Sequence, residues 1–200
     1  MDNKTYHHGD LRNQLIDIGA KLLIEQGLEN FSLRKVAKEI GVSHAAPYRH
    51  FNTKEDLILE IAKKGIEEFY DALAKPFHEF IGQPKLQLTE LGKAYIKFAV
   101  NNPYLMKILF FSDLKKKIDL TKIININKDS YSMLEESVRN CIATGETIIK
   151  DVQTFSLLSW SFVHGLSALM MENVVDLGHE NDNLIDQMVR LHVNGYFKNS

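Results

Sequence analysis

The apolar positions of the chain fall at helical spacing in a series of separate stretches, which predicts an all-α fold. Leu11, Leu15, Ile18, Leu22 and Leu23 form one stripe, with Asp10 placed as its N-cap and an end near Gly27. Leu33, Val36, Ala37 and Ile40 form a shorter stripe behind Ser32, while Arg34, Lys35 and Lys38 point elsewhere. Gly41 permits the left-handed turn that ends a helix, Val42 returns to the core, and Ser43 is placed to cap a second short helix over about His44 to His50. Pro47 then falls at the fourth helical position, where its missing N–H forfeits a bond to the Ser43 carbonyl, so the first turn should be distorted. Thr53 caps a further helix, whose Ile58, Ile61, Ala62, Ile66, Phe69 and Leu73 run to about Ala74 before Lys75-Pro76 breaks it.

Beyond Gly82-Gln83-Pro84, the stretch Lys85 to Val100 carries an amphipathic pattern through Leu88, Leu91, Ala94, Tyr95, Phe98 and Ala99. Asn102-Pro103 restarts the chain into Tyr104 to Phe111. Lys115 to Lys117 reads as a solvated loop, and the first half of the asparagine-rich stretch Ile118 to Tyr131 has no readable pattern. Tyr131, Leu134, Val138, Cys141 and Ile142 predict a helix ending at about Gly145. From Asp151 a long helix is apolar or small almost all round, which predicts burial inside one subunit or against a second; Gly165 within it suits a close helix approach. The last helix, about Asp182 to Phe197, places Leu184, Ile185, Met188, Leu191, His192 and Tyr196 along one side.

The 200 residues are 44% hydrophobic, enough for a core, and net charge is -2, so any nucleic-acid contact must come from a local patch. Such a patch exists. Between Asn30 and Lys54 the cations Arg34, Lys35, Lys38, Arg49 and Lys54 face one acid, Glu39. Two short helices joined by a tight glycine turn make a helix-turn-helix pattern, whose second helix can enter a major groove. Cys141 is the only cysteine, which excludes an intramolecular disulfide framework and fits a reducing, cytoplasmic setting. Residues 1–9 read as a polar arm whose adjacent His7 and His8 make a poor chelate, so no metal or cofactor is expected. No apolar leader is seen at the N-terminus, and the longest apolar stretches read as too interrupted for a membrane span.

The order GVSHAAPYRHFNTKEDL resembles the DNA-binding segment of TetR-type (TetR/AcrR) regulators, through Gly41, Val42, Ser43, Tyr48, His50, Phe51, Lys54, Glu55 and Leu57. Phe98, Ala99, Asn102, Pro103 and Tyr104 resemble a second family segment, and Trp160, His164 and Gly165 resemble the Trp, His-Gly (WHG) signature of one ligand-domain subgroup. The resemblance implies a three-helix DNA-binding domain over 1–53 and a larger helical effector-binding and dimerisation domain over 54–200, joined through helix 54–74. It implies that Arg34, His44, Ala45 and Ala46 face bases, while Ser32, Tyr48, His50 and Lys54 hold phosphates, with Ser43 at the turn and Arg49 a lesser contact. A buried brace is an equal reading for Tyr48.

The resemblance further implies a homodimer through helices 152–175 and 182–197, two recognition helices about 34 to 36 Å apart, and an inverted-repeat operator. Its second domain would bind a small, largely apolar effector that releases DNA, making the chain a ligand-responsive transcriptional repressor. Phe69, Phe77, Tyr95, Phe98, Met106 and Phe110 are candidates for that pocket. So are Met133, Phe155, Trp160, His164 and Met170, although helical proteins spend most aromatics on packing. For His164 the packing reading is a hydrogen-bonded core histidine. The competing classes are an effector-blind DNA-binding protein, an activator, and an enzyme. For catalysis the chain offers no phosphate loop, zinc motif or nucleophile elbow, only His164 and Glu172 two helical turns apart.

Overall fold

The computed structural model describes residues 11–111, 121–174 and 181–198. Its helices are α1 (Leu11–Asn30), α2 (Leu33–Ile40), α3 (Lys54–Glu79), α4 (Pro84–Asn101), α5 (Pro103–Met106), α6 (Thr121–Ala143), α7 (Val152–Met171) and α8 (Asn181–Asn194). A 3-10 turn covers Pro47–Arg49 and a π turn covers Lys107–Phe111. Among the described residues the single β feature is an isolated antiparallel bridge between Thr147 and Phe197. The fold is all-α, as the periodicity predicts. The expected arm over 1–9, the Asp10 cap and the Lys115 to Lys117 loop lie outside the described residues.

The chain forms two compact units, Met1–Gly65 with Tyr104–Ile123, and Ile66–Pro103 with Ile124–Ser200. In the first, Leu15 and Leu23 of α1, Val36 and Ala37 of α2, and Leu57, Ile58 and Ala62 of α3 close a core with Phe31 and Phe51. Burying a side chain of this size is worth roughly 1.5 to 3 kcal/mol. A methyl group added at Gly19 would meet Ile61 Cδ1 at 3.0 Å, so α1 and α3 touch backbone to side chain there. The same two helices are tied at the surface by Arg12 to Glu60 and by Lys64 to Asp17 at 2.6 Å. Burial alone would raise the Glu60 pKa, but hydrogen bonds from Lys63 and Arg12 outweigh it and hold the carboxyl below its ordinary range. Gly27 is not helical, with φ 71° and ψ 170°, so α1 kinks at the predicted end and gains a further turn.

In the second unit α4 packs against α7 and α8. Gly92 marks the crossing: an added Cβ would lie 3.1 Å from Val189 and 3.4 Å from Val163. Around it Leu88, Leu91, Ile96, Phe155, Leu166, Ile185 and Val193 are buried. Lys93 joins Glu90 and Asp186 at 2.9 and 2.8 Å, and Arg190 joins Asp186 at 2.7 Å, fastening α4 to α8.

The structure corrects several expectations. Pro76 does not end α3, which continues to Glu79; the Pro76 carbonyl still accepts from Phe80 at 3.2 Å, and the buried neighbours Leu73 and Phe77 hold the helix through the missing N–H. Asparagines notwithstanding, α6 starts at Thr121. On α8 the buried line is Ile185, Val189 and Val193, leaving Leu191 72% exposed, because it lies about 200° around the helix from Val189. No atom lies within 4 Å of a Cβ built at Gly165, so within one chain this glycine admits no close helix. Helix α7 is long and apolar enough for a membrane span by length and composition, contrary to the sequence reading. Its inner face, from Phe155 to Met170, is nonetheless packed like that of a core helix.

Candidate nucleic-acid interface and effector site

Ser32 is extended, with φ -154° and ψ 150°, and its Oγ accepts from the Lys35 N–H at 3.3 Å, capping α2. Because Leu33, Val36 and Ala37 face inward, Arg34, Lys35 and Lys38 are left on the exposed side. Gly41 takes the left-handed conformation, φ 80° and ψ 28°, and the Val42 N–H returns to the Ala37 carbonyl at 3.0 Å. That closes the helix and throws the chain sideways.

The second helix expected over His44 to His50 contracts to the 3-10 turn Pro47–Arg49. With no N–H at Pro47 to reach it, the Ser43 carbonyl takes the Ala46 N–H at 3.0 Å instead. Ala46, without a side-chain cap, occupies the position expected for Ser43. The Pro47 carbonyl then accepts from both His50, at 2.9 Å, and Phe51, at 3.0 Å. Pro47 and Phe51 are buried and anchor the segment; Ser43, His44, Ala45 and Arg49 are exposed, and Ala46, His50 and Lys54 half-buried. Tyr48 is 49% exposed, which rules out the buried-brace reading. Thr53 and Asp56 exchange backbone-to-side-chain bonds at 3.1 and 3.0 Å, a capping box that puts Lys54 at the first turn of α3. Helix N-terminal N–H groups beside a lysine suit a phosphate. Lys38, exposed on the last turn of α2, is a further cation that only its place in the basic window signals.

In the second unit the structure joins many of the proposed pocket aromatics into one chain of rings. Phe69 meets Tyr95 and Phe98 with centroids 5.4 and 5.1 Å apart. The Tyr95 hydroxyl lies 2.7 Å from His164 Nδ1, Trp160 lies 5.9 Å from His164, and Tyr131 lies 5.8 Å from Trp160. Burial pushes the Tyr95 hydroxyl up to about 12, opposed in part by a hydrogen bond with Trp160. An indole can only donate, so the Tyr95 proton points to His164 Nδ1, and the neutral imidazole keeps its own proton on Nε2. Burial lowers the His164 pKa and favours that neutral form.

The other candidates are placed differently. Phe155 is fully buried against Tyr196, at 4.7 Å, and Phe77 lies against His78. Met133 and Met170 are buried, and Met106 and Phe110 belong to the first unit. Sequence reasoning missed the polar groups inside this unit. Gln87 is buried, donates to the Phe77 carbonyl at 2.5 Å and accepts from Ser137 at 3.1 Å. A glutamine on the apolar stripe of α4 was the available signal. The Cys141 thiol is buried and pushed up to about 12 by that burial, Lys85 opposing, so it stays protonated. Among the described residues no three His, Cys, Asp or Glu side chains gather to hold a metal.

Two family models match the chain: bacterial regulatory proteins of the tetR family over residues 15–61, and the tetracyclin repressor-like C-terminal domain over 88–192. An HTH-type transcriptional regulator of Staphylococcus aureus is 29% identical over 98 residues, 48% of this chain and 51% of its own length; the chain thus spans about half of that relative. Among solved structures, a TetR/AcrR-family regulator of Thermobifida fusca has a TM-score of 0.72 at 20% identity, covering 94% of this chain and all of that one. The regulator FadR of Bacillus subtilis, solved with stearoyl-CoA, has a TM-score of 0.70 at 20% identity, covering 92% and 98%. The second family model alone covers more than half of the residues, and the chain belongs to the TetR family of bacterial DNA-binding transcriptional regulators.

Proposed function

We propose that this regulator is a cytoplasmic homodimeric repressor, released from an inverted-repeat operator by a small, largely apolar effector. Residues 1–53 carry DNA recognition and 54–200 carry effector binding and dimerisation. Arg34, His44, Ala45 and Ala46 face bases; Ser32, Tyr48, His50 and Lys54 hold phosphates, with Ser43 and Arg49 flanking them. The observation that carries this reading is the exposed reader itself, with Arg34, His44, Ala45, Tyr48 and Arg49 presented outward on a segment anchored by buried Pro47 and Phe51.

Dimerisation is supported by the outer face of α7 and α8, where Leu157, Leu158, Leu169 and Leu191 are exposed around the unfilled Gly165. A second copy approaching there covers them and holds two readers one turn of DNA apart. An effector that favours badly spaced readers then weakens DNA binding, and operator DNA weakens effector binding by the same factor.

The test begins with selection of bound duplexes from a random pool, followed by metabolite screening for thermal stabilisation and DNA release. Enrichment of an inverted repeat and a compound that dissociates it are expected. No enrichment even at low salt refutes DNA reading, and unchanged DNA affinity at saturating ligand refutes induction. Leu158→Glu with Leu169→Glu should leave a folded monomer by light scattering; an intact dimer refutes the assigned face.

A further inference from the structure

Helix serines ordinarily donate back to a carbonyl one turn earlier, as Ser167 of α7 does to Val163 at 2.7 Å. Ser156 and Ser159, on the same buried side of the same helix, do not: their hydroxyls have no hydrogen-bond partner although the residues are 0% and 6% exposed. Ser130 of α6, 4% exposed, is in the same condition. Tyr131 and Trp160, whose rings meet at 5.8 Å, directly follow Ser130 on α6 and Ser159 on α7. A fourth such hydroxyl, Thr147, sits instead at the bridge to Phe197.

Unpartnered hydroxyls in an apolar interior are costly, and alanine would serve packing better at all three positions. They make sense where something arrives to bond them. Trp160, which directly follows Ser159 and lies one turn on from Ser156, belongs to a hydrogen-bonded chain with Tyr95 and His164, whose neutral imidazole adds no charge. The side chain of Lys128 lies outside the described residues; among the described side chains of this unit no cation answers them, since Lys93 and Arg190 join Glu90 and Asp186, Arg139 joins Glu135, Lys150 and Lys198 reach the Gly145 carbonyl, Lys85 covers Phe197, and Lys75 and Lys97 are exposed. Burial first, and the carboxylate of Glu135 second, hold the Tyr131 hydroxyl above its ordinary value.

Resting on the effector reading above, we infer that the effector is an uncharged molecule, apolar over most of its surface, bearing a hydroxyl or ketone oxygen that Ser156, Ser159 and Ser130 receive beside the Tyr95 and His164 pair. A carboxylate or a coenzyme A thioester is disfavoured at this site.

The full-length protein is tested with 1-dodecanol, 2-tridecanone, a neutral 3-ketosteroid, dodecane, dodecanoate and dodecanoyl-coenzyme A, reading melting temperature and release from the selected operator. At least one of the neutral oxygen-bearing compounds should stabilise the protein and release DNA, and dodecane and the two anions should not. Ser156→Ala with Ser159→Ala should leave the ligand-free melting temperature unchanged or higher and weaken that compound's binding about tenfold. Equal binding by this variant overturns the inference, the hydroxyls then serving bound water only. Action by the anions alone overturns it and leaves the effector reading standing. Silence from all six overturns it as well, and silence from a wide metabolite panel removes the effector reading itself.

Discussion

Replacing Gly41 isolates the backbone cost of the turn on which the reader hangs. Its φ is 80° and ψ 28°, and a Cβ built there meets nothing within 4 Å, so substitution introduces no clash and the penalty is conformational alone. An L-residue held in the left-handed region costs about 1 to 2 kcal/mol, while loss of glycine's freedom in the unfolded chain returns about 0.4 to 1 kcal/mol. Gly41→Ala should therefore destabilise the first unit by about 1 kcal/mol. Gly41→Asn should cost less, since asparagine visits this region more readily, and Gly41→Val more. Amide exchange within α2 reports the local loss, because the turn bonds from Gly41 to Lys38 and from Val42 to Ala37 open first. Operator affinity should fall only as far as the folded fraction does. If alanine is as stable as glycine, or asparagine costs as much as alanine, the turn is not governed by its left-handed residue and the reasoning fails.

Arg34→Ala should cost about 1 to 3 kcal/mol on operator and relax base preference, whereas Lys54→Ala should weaken all sequences alike and flatten the salt slope by about one unit; electrophoretic titration against operator and random duplex at two salt concentrations separates them. Gly92→Ala presses its methyl on Val189, 3.1 Å away, while Val163 at 3.4 Å stays in ordinary contact; overpacking of about 1 to 3 kcal/mol, less about 1 kcal/mol that alanine gains over glycine in a helix, should destabilise the second unit by about 1 kcal/mol, recovered in part by Val189→Ala in thermal unfolding. Hydrogen bonds from Arg190 and Lys93 hold the Asp186 carboxyl at about 2 against an ordinary 3.8. Its folded-state pKa is depressed, so this stabilisation is complete above the ordinary value and is lost as pH falls toward about 2; Asp186→Asn should remove that part of the acid dependence of the melting temperature.

What the sequence made legible was chiefly local. Ser32, Gly41 and Thr53 set their own helix ends through one or two backbone bonds each, so their roles can be read without knowing the fold. Where packing from outside the segment decides, sequence rules fell short. Pro76 obeys the rule for a breaker, yet Leu73 and Phe77 carry α3 past it. On α8, Leu191 competes with Val189 and Val193 for the inward face, and hydrophobicity alone does not choose between them. The serines of α6 and α7 are indistinguishable in sequence from solvent-facing ones until burial is known.

The reader also separates endurance from taste. Pro47 and Phe51 keep its shape from beneath, while exposed Ala45 presents little more than backbone to the outside. On the proposed reading, in which Ala45 faces bases, a mutation at position 45 redirects which operator is preferred without touching the scaffold that presents it. Under that reading, descendants of this regulator would acquire new target genes by single substitutions, with no intermediate that must first survive a damaged fold.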